Sequence, residues 1–186
     1  MAKNFPKGHK HLGGHEMKTH IDQGILEFAI NTLKVKTMID VGCGPGGMVE
    51  LGRELGIDSY GIDGDFRLER KYPEKYYLQD FTKGSVDIDK TFDLAYSCEF
   101  VEHVEEKYLD NFMKAFQKAN LVIMTYAPEG TPGHHHVNCR SENYWISTFK
   151  NYGFKFDQSL TNSIRSVSTM ERDFIRENGL CFKNET

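Results

Sequence analysis

The stretch Asp40-Val41-Gly42-Cys43-Gly44-Pro45-Gly46-Gly47 decides the fold of this 186-residue chain. A short apolar run at 37–41 predicts a buried strand, and the segment 45–55 predicts a helix with a proline in its first turn. Glycines between the two let the backbone turn tightly and approach a ligand without a Cβ in the way. We therefore expect a ligand-binding turn at the carboxyl end of the first strand.

Strands and helices alternate along the rest of the chain. After 37–41, apolar runs predict strands at 59–63, 76–80, 91–97, 119–127, 153–157 and 180–183. Apolar residues near helical spacing predict further helices at 20–33, at 105–118, after Ser141 and at 169–177. This alternation predicts an α/β fold with a mainly parallel sheet. We expect residues 1–18 to form a flexible arm and residues 19–186 to form a single domain.

Composition narrows the classes of function. Lys and Arg number 23 against 27 Asp and Glu, which argues against a strongly basic nucleic-acid coat protein and against an acidic disordered tail. No run approaches the roughly 18 consecutive apolar residues of a membrane span, and the first 15 residues lack the apolar centre of a signal peptide. Four separated cysteines without a Cys-x-x-Cys pair predict reduced thiols. We expect a soluble cytoplasmic protein with no membrane partner.

An acidic residue ends the second predicted strand. Asp63 lies 21 residues after Gly42 and is followed by Gly64. A carboxylate at this place accepts hydrogen bonds from both hydroxyls of a ribose. The glycine turn and Asp63 therefore predict a nucleoside-containing cofactor across the carboxyl ends of the strands. Gly42, Gly44 and Gly47 also satisfy the fingerprint of dinucleotide-binding proteins, so two cofactor classes compete at this point.

The position of Asp40, two residues before the first glycine, favours one of these classes. The form D-x-G-x-G-x-G resembles the first motif of class I S-adenosylmethionine-dependent methyltransferases, and the resemblance extends over about 37–156. The segment 79–81 (QDF) lies where this family places an acid against the adenine amino group and an apolar residue against its ring. The segment 97–104 (SCEFVEHV) is similar to the family's signature after the fourth strand.

This resemblance implies a Rossmann-like doubly wound sandwich with a mainly parallel seven-stranded sheet and an antiparallel last strand. It also implies S-adenosyl-L-methionine as the cofactor, whose ammonium group suits a nearby carboxylate. The cofactor-binding residues expected on this basis are Asp40, Gly42, Cys43, Gly44, Gly46, Asp63, Gly64, Asp80, Phe81 and Ser97.

Acidic and histidine residues cluster after the fourth and fifth predicted strands. Glu99, Glu102 and His103 stand at positions i, i+3 and i+4, so their side chains share one face if the segment is helical. The triplet 134–136 (HHH) lies in the loop after the fifth strand, which also opens on the ligand crevice. We expect a divalent-metal site of Glu99, Glu102, His103 and His135, for which Mn²⁺, Fe²⁺, Zn²⁺ or Co²⁺ is better suited than Mg²⁺.

The E-x-x-E-H segment resembles that of two metal-dependent groups, the small-RNA 3′-terminal 2′-O-methyltransferases and the O-methyltransferases of ubiquinone biosynthesis. In these groups the metal lowers the pKa of the acceptor alcohol and fixes its lone pair toward the methyl group. The alternative is a metal-free site, in which a glutamate caps backbone amides and His135 or His136 is the general base. The candidate catalytic residues are thus Glu99, His103, His135 and His136.

The acceptor is expected to be a small molecule, a sugar or a nucleotide, methylated at a hydroxyl. RNA 2′-O-methylation is the alternative, and a non-catalytic cofactor-binding regulator or virion component is a third hypothesis. A DNA base target is not expected, because no Asn/Asp-Pro-Pro-Tyr segment follows the fourth strand. In size and in the stretch 132–145 the chain is similar to short bacteriophage methyltransferases, which implies the host cytoplasm. We expect a monomer or a homodimer.

The N-terminal arm carries His9, His11 and His15 among lysines and glycines, and His20 follows it. One hypothesis is a mobile, solvated arm. The other is a lid, since in this fold the segment before the first strand commonly covers the cofactor and lines the acceptor pocket. A Lys/His arm would also suit an acceptor that carries phosphate.

Overall fold

The computed structural model describes residues 11–186, and a seven-stranded sheet forms its centre. The strands are β1 Thr37–Val41, β2 Asp58–Asp63, β3 Tyr76–Leu78, β4 Phe92–Ser97, β5 Ala119–Thr125, β6 Phe154–Phe156 and β7 Gly179–Asn184. The α-helices are α1 Gln23–Asn31, α2 Gly47–Glu54, α3 Leu109–Phe116, α4 Glu142–Asn151, α5 Gln158–Val167 and α6 Phe174–Asn178.

The spatial order of the strands is β3-β2-β1-β4-β5-β7-β6. The pairs among β1 to β5 are parallel, and β7 lies antiparallel between β5 and β6. The predicted Rossmann-like α/β fold, with its mainly parallel sheet and antiparallel last strand, is confirmed. The chain winds outward in both directions from β1 and β4, so the loops after these two strands border the crevice where such sheets bind ligands.

Helices cover both faces of the sheet, so the side chains on each face are largely buried and apolar. On one face Ile39 and Val122 pack with Phe112 of α3 and Trp145 of α4. On the other face Met38, Leu94 and Ile123 pack with Ile25 of α1, Ile164 of α5 and Ile175 of α6. The two clusters hold the strand ends in fixed positions, and the functional loops project from those ends.

The chain between β6 and β7 differs from the prediction. A helix was expected at 169–177, but only α6 is helical there, and α5 was not predicted. The sequence of α5 is rich in Ser, Thr and Asn, which have low helix propensity, and only its residues at i, i+4 and i+7 (Leu160, Ile164 and Val167) are apolar. Its start has a local cause, since the Asp157 carboxylate accepts a hydrogen bond from Leu160 N at 2.9 Å.

Two other predicted helices are shorter than expected. The helix predicted at 20–33 is α1, and the Asp22 carboxylate caps it by accepting from Ile25 N at 3.1 Å. The helix predicted at 105–118 is a 3₁₀ turn at Glu106–Tyr108 followed by α3. Among residues 11–186 there is no helix with the length and apolar character that crossing a membrane requires.

Candidate active site

The glycine turn connects β1 to α2 with left-handed backbone at several positions. Gly42 has φ +78° and Gly46 has φ +92°. A Cβ on Gly42 would lie 2.3 Å from Phe100 Cδ2, and one on Gly46 would lie 2.2 Å from Tyr76 Oη. Both positions therefore require glycine for conformation and for space.

Asp63 ties the glycine turn to the loop after β2. One carboxylate oxygen accepts from Gly44 N at 2.9 Å, and the other accepts from Asp65 N at 2.7 Å. Arg70 lies 3.9 Å from the same carboxylate and donates to Gly44 O at 3.0 Å. The side chain of Asp63 is thus held in one orientation at the carboxyl end of β2, where the sequence predicted a ribose-binding acid.

Asp40 lies under the glycine turn and is buried, 3% exposed. Burial, with a smaller contribution from the Asp63 carboxylate, raises the pKa of Asp40 to about 8. The carboxyl is therefore mostly protonated at neutral pH, and a cation bound beside it would favour its ionised form.

A cavity of about 540 Å³ opens at this edge of the sheet. Its walls come from the glycine turn, from the loops after β2, β3, β4 and β5, and from residues 11–20. Most of the expected cofactor-binding residues line it, namely Asp40, Gly42, Cys43, Gly44, Asp63, Gly64, Asp80 and Phe81. Ser97 is buried instead, and its hydroxyl donates to Val41 O at 2.8 Å, which links β4 to β1.

Residues 11–20 lie along this cavity and touch three of its loops. His11 Nε2 lies 3.1 Å from Asp80 Oδ2, and His15 Nε2 lies 3.2 Å from Asp65 Oδ2. Thr19 accepts a hydrogen bond from Gly47 N at 3.1 Å, at the start of α2. His9 lies outside the described residues. The position of residues 11–20 along the cavity fits the lid hypothesis, whereas the flexibility of the arm remains a prediction.

Three potential metal ligands converge after β4 and β5. Glu102, His103 and His136 each bring one ligand atom within 4.8 Å of the other two. Glu102 is fully buried, and neither of its carboxylate oxygens has a hydrogen-bond partner among the described residues. Burial and the neighbouring carboxylate of Glu99 raise the pKa of Glu102 well above its ordinary value. A buried carboxylate without a partner is costly and needs an explanation, and a bound cation supplies one.

Both histidines of this group are oriented by backbone carbonyls. His103 Nδ1 lies 2.8 Å from His134 O, and His136 Nδ1 lies 3.0 Å from Thr131 O. A carbonyl oxygen only accepts, so each Nδ1 donates its proton and leaves the Nε2 lone pair available for a ligand. Burial, followed by the neighbouring His136, lowers the pKa of His103 to about 4, so its imidazole is neutral. Metal-binding histidines in proteins show this same arrangement.

Glu99 and His135 lie beside this group rather than in it. Glu99 has φ +53°, and Thr125 Oγ1 lies 3.4 Å from its carboxylate. Burial raises the pKa of Glu99 to about 6. The ring of His135 lies 6.0 Å from that of His11. The group therefore contains His136 where the sequence predicted His135 as a ligand.

The segment that carries Glu99, Glu102 and His103 is not α-helical. It bends at Glu99 and continues as a 3₁₀ turn at Val101–His103. The expected common helix face is therefore wrong, because the backbone at Glu99 has a positive φ, although the Glu99 carboxylate still neighbours that of Glu102. Tertiary contacts set this geometry, since Glu99 N donates to Thr125 Oγ1 of β5 at 2.8 Å.

Comparison with known proteins identifies the family. A family model described as a methyltransferase domain matches residues 14–180, so the chain belongs to the methyltransferase domain family. It is an S-adenosylmethionine-dependent methyltransferase, and the competing dinucleotide hypothesis is not supported.

Solved structures share the fold at low sequence identity. The magnesium protoporphyrin IX methyltransferase of Synechocystis PCC 6803 with bound SAM is 15% identical, with a TM-score of 0.60 over 87% of this chain and 76% of that one. The methyltransferase domain of bacterial CtHen1-C is 17% identical, with a TM-score of 0.59 over 93% and 98%. The sugar N-methyltransferase KedS8 of Streptoalloteichus sp ATCC 53650 is 8% identical, with a TM-score of 0.63 over 92% and 90%.

Proposed function

We propose that this methyltransferase methylates a hydroxyl of a small acceptor, a sugar or a nucleotide, with a divalent cation held by Glu102, His103 and His136. The observation that carries the proposal is the buried Glu102 carboxylate, which has no hydrogen-bond partner among residues 11–186 and lies beside two imidazoles with oriented lone pairs. Mixed oxygen and nitrogen ligands suit Mn²⁺, Fe²⁺, Zn²⁺ or Co²⁺. The sugar N-methyltransferase among the structural neighbours is consistent with a small acceptor.

The cofactor would occupy the cavity between the glycine turn and residues 11–20. Asp63 would accept hydrogen bonds from the two ribose hydroxyls, and Asp80 would accept from the adenine amino group. Phe81 lines the same cavity, where it would pack against the adenine ring. His11 contacts Asp80 in this structure, so His11 would share or leave that carboxylate when the cofactor binds.

The acceptor would lie next to Glu99. A bound divalent cation would lower the pKa of the acceptor hydroxyl. With a pKa of about 6, Glu99 is largely ionised at neutral pH and would take the hydroxyl proton. The loops after β4 and β5 would orient the oxygen in line with the activated methyl group. In the metal-free alternative His135 or His136 would be the base, and of these two His136 lines the cavity.

Calorimetry tests the proposal in two stages. S-adenosylmethionine is titrated into metal-stripped protein, and Mn²⁺ is then added to the wild type and to a Glu102→Ala, His103→Ala variant. We expect cofactor binding in both proteins and a Mn²⁺ binding event only in the wild type. Absence of the Mn²⁺ event in the wild type would remove the metal from the proposal and leave a histidine or Glu99 base.

RNA 2′-O-methylation is a second candidate, favoured by the E-x-x-E-H segment and the metal-ligand group. If the acceptor is RNA, Lys and Arg must neutralise several phosphates, and affinity must fall steeply with added salt. We expect binding of a short single-stranded RNA to be weak and to change little between low and physiological salt, since the chain has a formal charge of −4. A steep salt slope in a fluorescence anisotropy titration would favour RNA over a small acceptor.

We expect cofactor affinity to rise with pH because of Asp40. Its pKa of about 8 is raised above that of an unfolded aspartate, so below pH 8 the carboxyl must lose its proton to pair with the cofactor ammonium. Affinity should therefore increase from pH 6 toward pH 8 by up to about tenfold per unit, until the cofactor ammonium, an α-amino group with a pKa of about 8, loses its own proton. Calorimetry in buffers of different ionisation enthalpy would detect the released proton at pH 7. In Asp40→Asn this proton release should disappear, and its persistence there would contradict the assignment.

A further inference from the structure

Two cationic side chains and one imidazole line the cavity and are not explained by cofactor or metal binding. They are Lys18, His20 and Arg172. Phe174 contacts both Arg172 and His20. The guanidinium carbon of Arg172 lies 5.4 Å from the centre of the Phe174 ring, and the His20 ring meets that ring edge-on at 5.0 Å. Arg172 belongs to the loop before α6 and was not singled out in the sequence, whereas Lys18 and His20 come from the chain before α1.

Arg172 differs from the other six arginines of the chain. Each of those six has a carboxylate oxygen within 4.0 Å, namely Arg53, Arg67, Arg70, Arg140, Arg165 and Arg176. Arg172 makes no ion pair or hydrogen bond with any residue in 11–186, and its contact is the face of Phe174. A guanidinium in a cavity wall without a carboxylate partner is available to a ligand, and its planar fork matches a carboxylate or a phosphate.

The charge of Arg172 acts on the acceptor side of the cavity. Burial raises the pKa of Glu99, after β4, and the charge of Arg172 opposes that rise. Burial lowers the pKa of His20, and Arg172 and Lys18 lower it further. Asp40, under the glycine turn, is affected by burial and by Asp63 instead. The acids that oppose this positive charge are Glu99 itself, Glu16, which lines the cavity, and Glu171, which raises the pKa of His20.

We infer that Arg172, together with Lys18 and His20, binds an anionic group of the methyl acceptor, so that the substrate carries a carboxylate or a phosphate as well as the hydroxyl that is methylated. The inference rests on the proposed function for the identity of the reacting group. It adds a substrate class, because a neutral sugar or nucleoside would offer no anionic partner to the exposed guanidinium in the cavity wall. Phe174 contacts the guanidinium through its ring, Lys18 adds a second positive charge, and the His20 imidazole adds a hydrogen-bonding group.

Inorganic phosphate is the probe for this subsite. It is titrated at constant ionic strength into metal-free protein saturated with S-adenosylhomocysteine, with sodium benzoate as the carboxylate probe in a parallel titration. We expect the wild-type complex to bind one or both anions and Arg172→Gln to bind them at least about tenfold more weakly, since a charge-assisted contact is lost. Arg172→Lys should be intermediate. Lys150→Gln removes the same charge from an exposed position on α4 and should change nothing.

Each outcome decides the inference. No anion binding by the wild-type complex, or equal binding by Arg172→Gln and Lys150→Gln, overturns it. A loss of S-adenosylhomocysteine affinity in Arg172→Gln of about tenfold or more also overturns it, because the anion would then be the carboxylate of the cofactor. If the wild type does not bind S-adenosylhomocysteine at all, the proposed function fails separately. Thermal melts of both arginine variants, with melting temperatures close to the wild type, exclude misfolding as the cause.

Discussion

Asp63→Ala is expected to weaken binding of S-adenosylhomocysteine by about a hundredfold or more. Two charge-assisted hydrogen bonds to the ribose would be lost, each of about 1.5–3 kcal/mol. The effect is large because the carboxylate is already oriented, with its oxygens accepting from Gly44 N and Asp65 N, so the folded protein presents it in a fixed position. Calorimetry on the full chain measures the dissociation constants directly.

Asp58→Ala is the matched control for this substitution. It removes an acid from the other end of the same strand, where Asp58 pairs with Arg53, Lys75 and Lys90 on the surface. Cofactor affinity should be unchanged in this variant. Because Asp63 also holds the glycine turn, Asp63→Asn is included, and melting temperatures are compared. Affinity within about threefold of the wild type in Asp63→Ala would contradict the ribose assignment.

The sheet was predictable from sequence because its central strands are mostly apolar. TMIDV, FDLAYS and ANLVIMT are largely buried, and such short apolar runs favour strands. The glycine turn was predictable for a related reason, since its backbone angles exclude other residues. By contrast, α5 has few apolar residues, and the packing of Ile164 against the sheet stabilises it more than its own propensity does.

The candidate metal site was only partly predictable. Residue types and spacing indicated Glu102 and His103, but the choice among three consecutive histidines depends on which imidazole donates to a distant carbonyl. For His136 that carbonyl belongs to Thr131, and for His103 it belongs to His134. The bend at Glu99 depends on Thr125 of β5. Arg172 could not be singled out from the sequence either. It differs from the other arginines in having no carboxylate within ion-pair distance among residues 11–186, and that depends on the tertiary structure.

Glu102→Gln is expected to reduce Mn²⁺ affinity by more than about a hundredfold. Loss of a residue that only hydrogen-bonds to a metal ligand already costs about 10–100-fold in affinity, and this substitution removes the anionic ligand itself. The metal-free variant should fold at least as stably as the wild type, because the amide replaces a buried carboxyl that has no hydrogen-bond partner among the described residues. Activity that depends on Mn²⁺ should be lost to the same extent.

Thermal unfolding separates this role from a structural one. At a Mn²⁺ concentration 100 times its dissociation constant, the wild type should gain about 2.7 kcal/mol of stability, and Glu102→Gln should gain almost none. Glu105 lies three residues after Glu102, is half-exposed and pairs with Lys107, so Glu105→Gln should respond to Mn²⁺ as the wild type does. An equal rise in melting temperature for all three proteins would place the ion elsewhere on the chain. Such a result would leave the buried Glu102 carboxyl as a neutral, protonated group whose role is in the packing of the loop after β4.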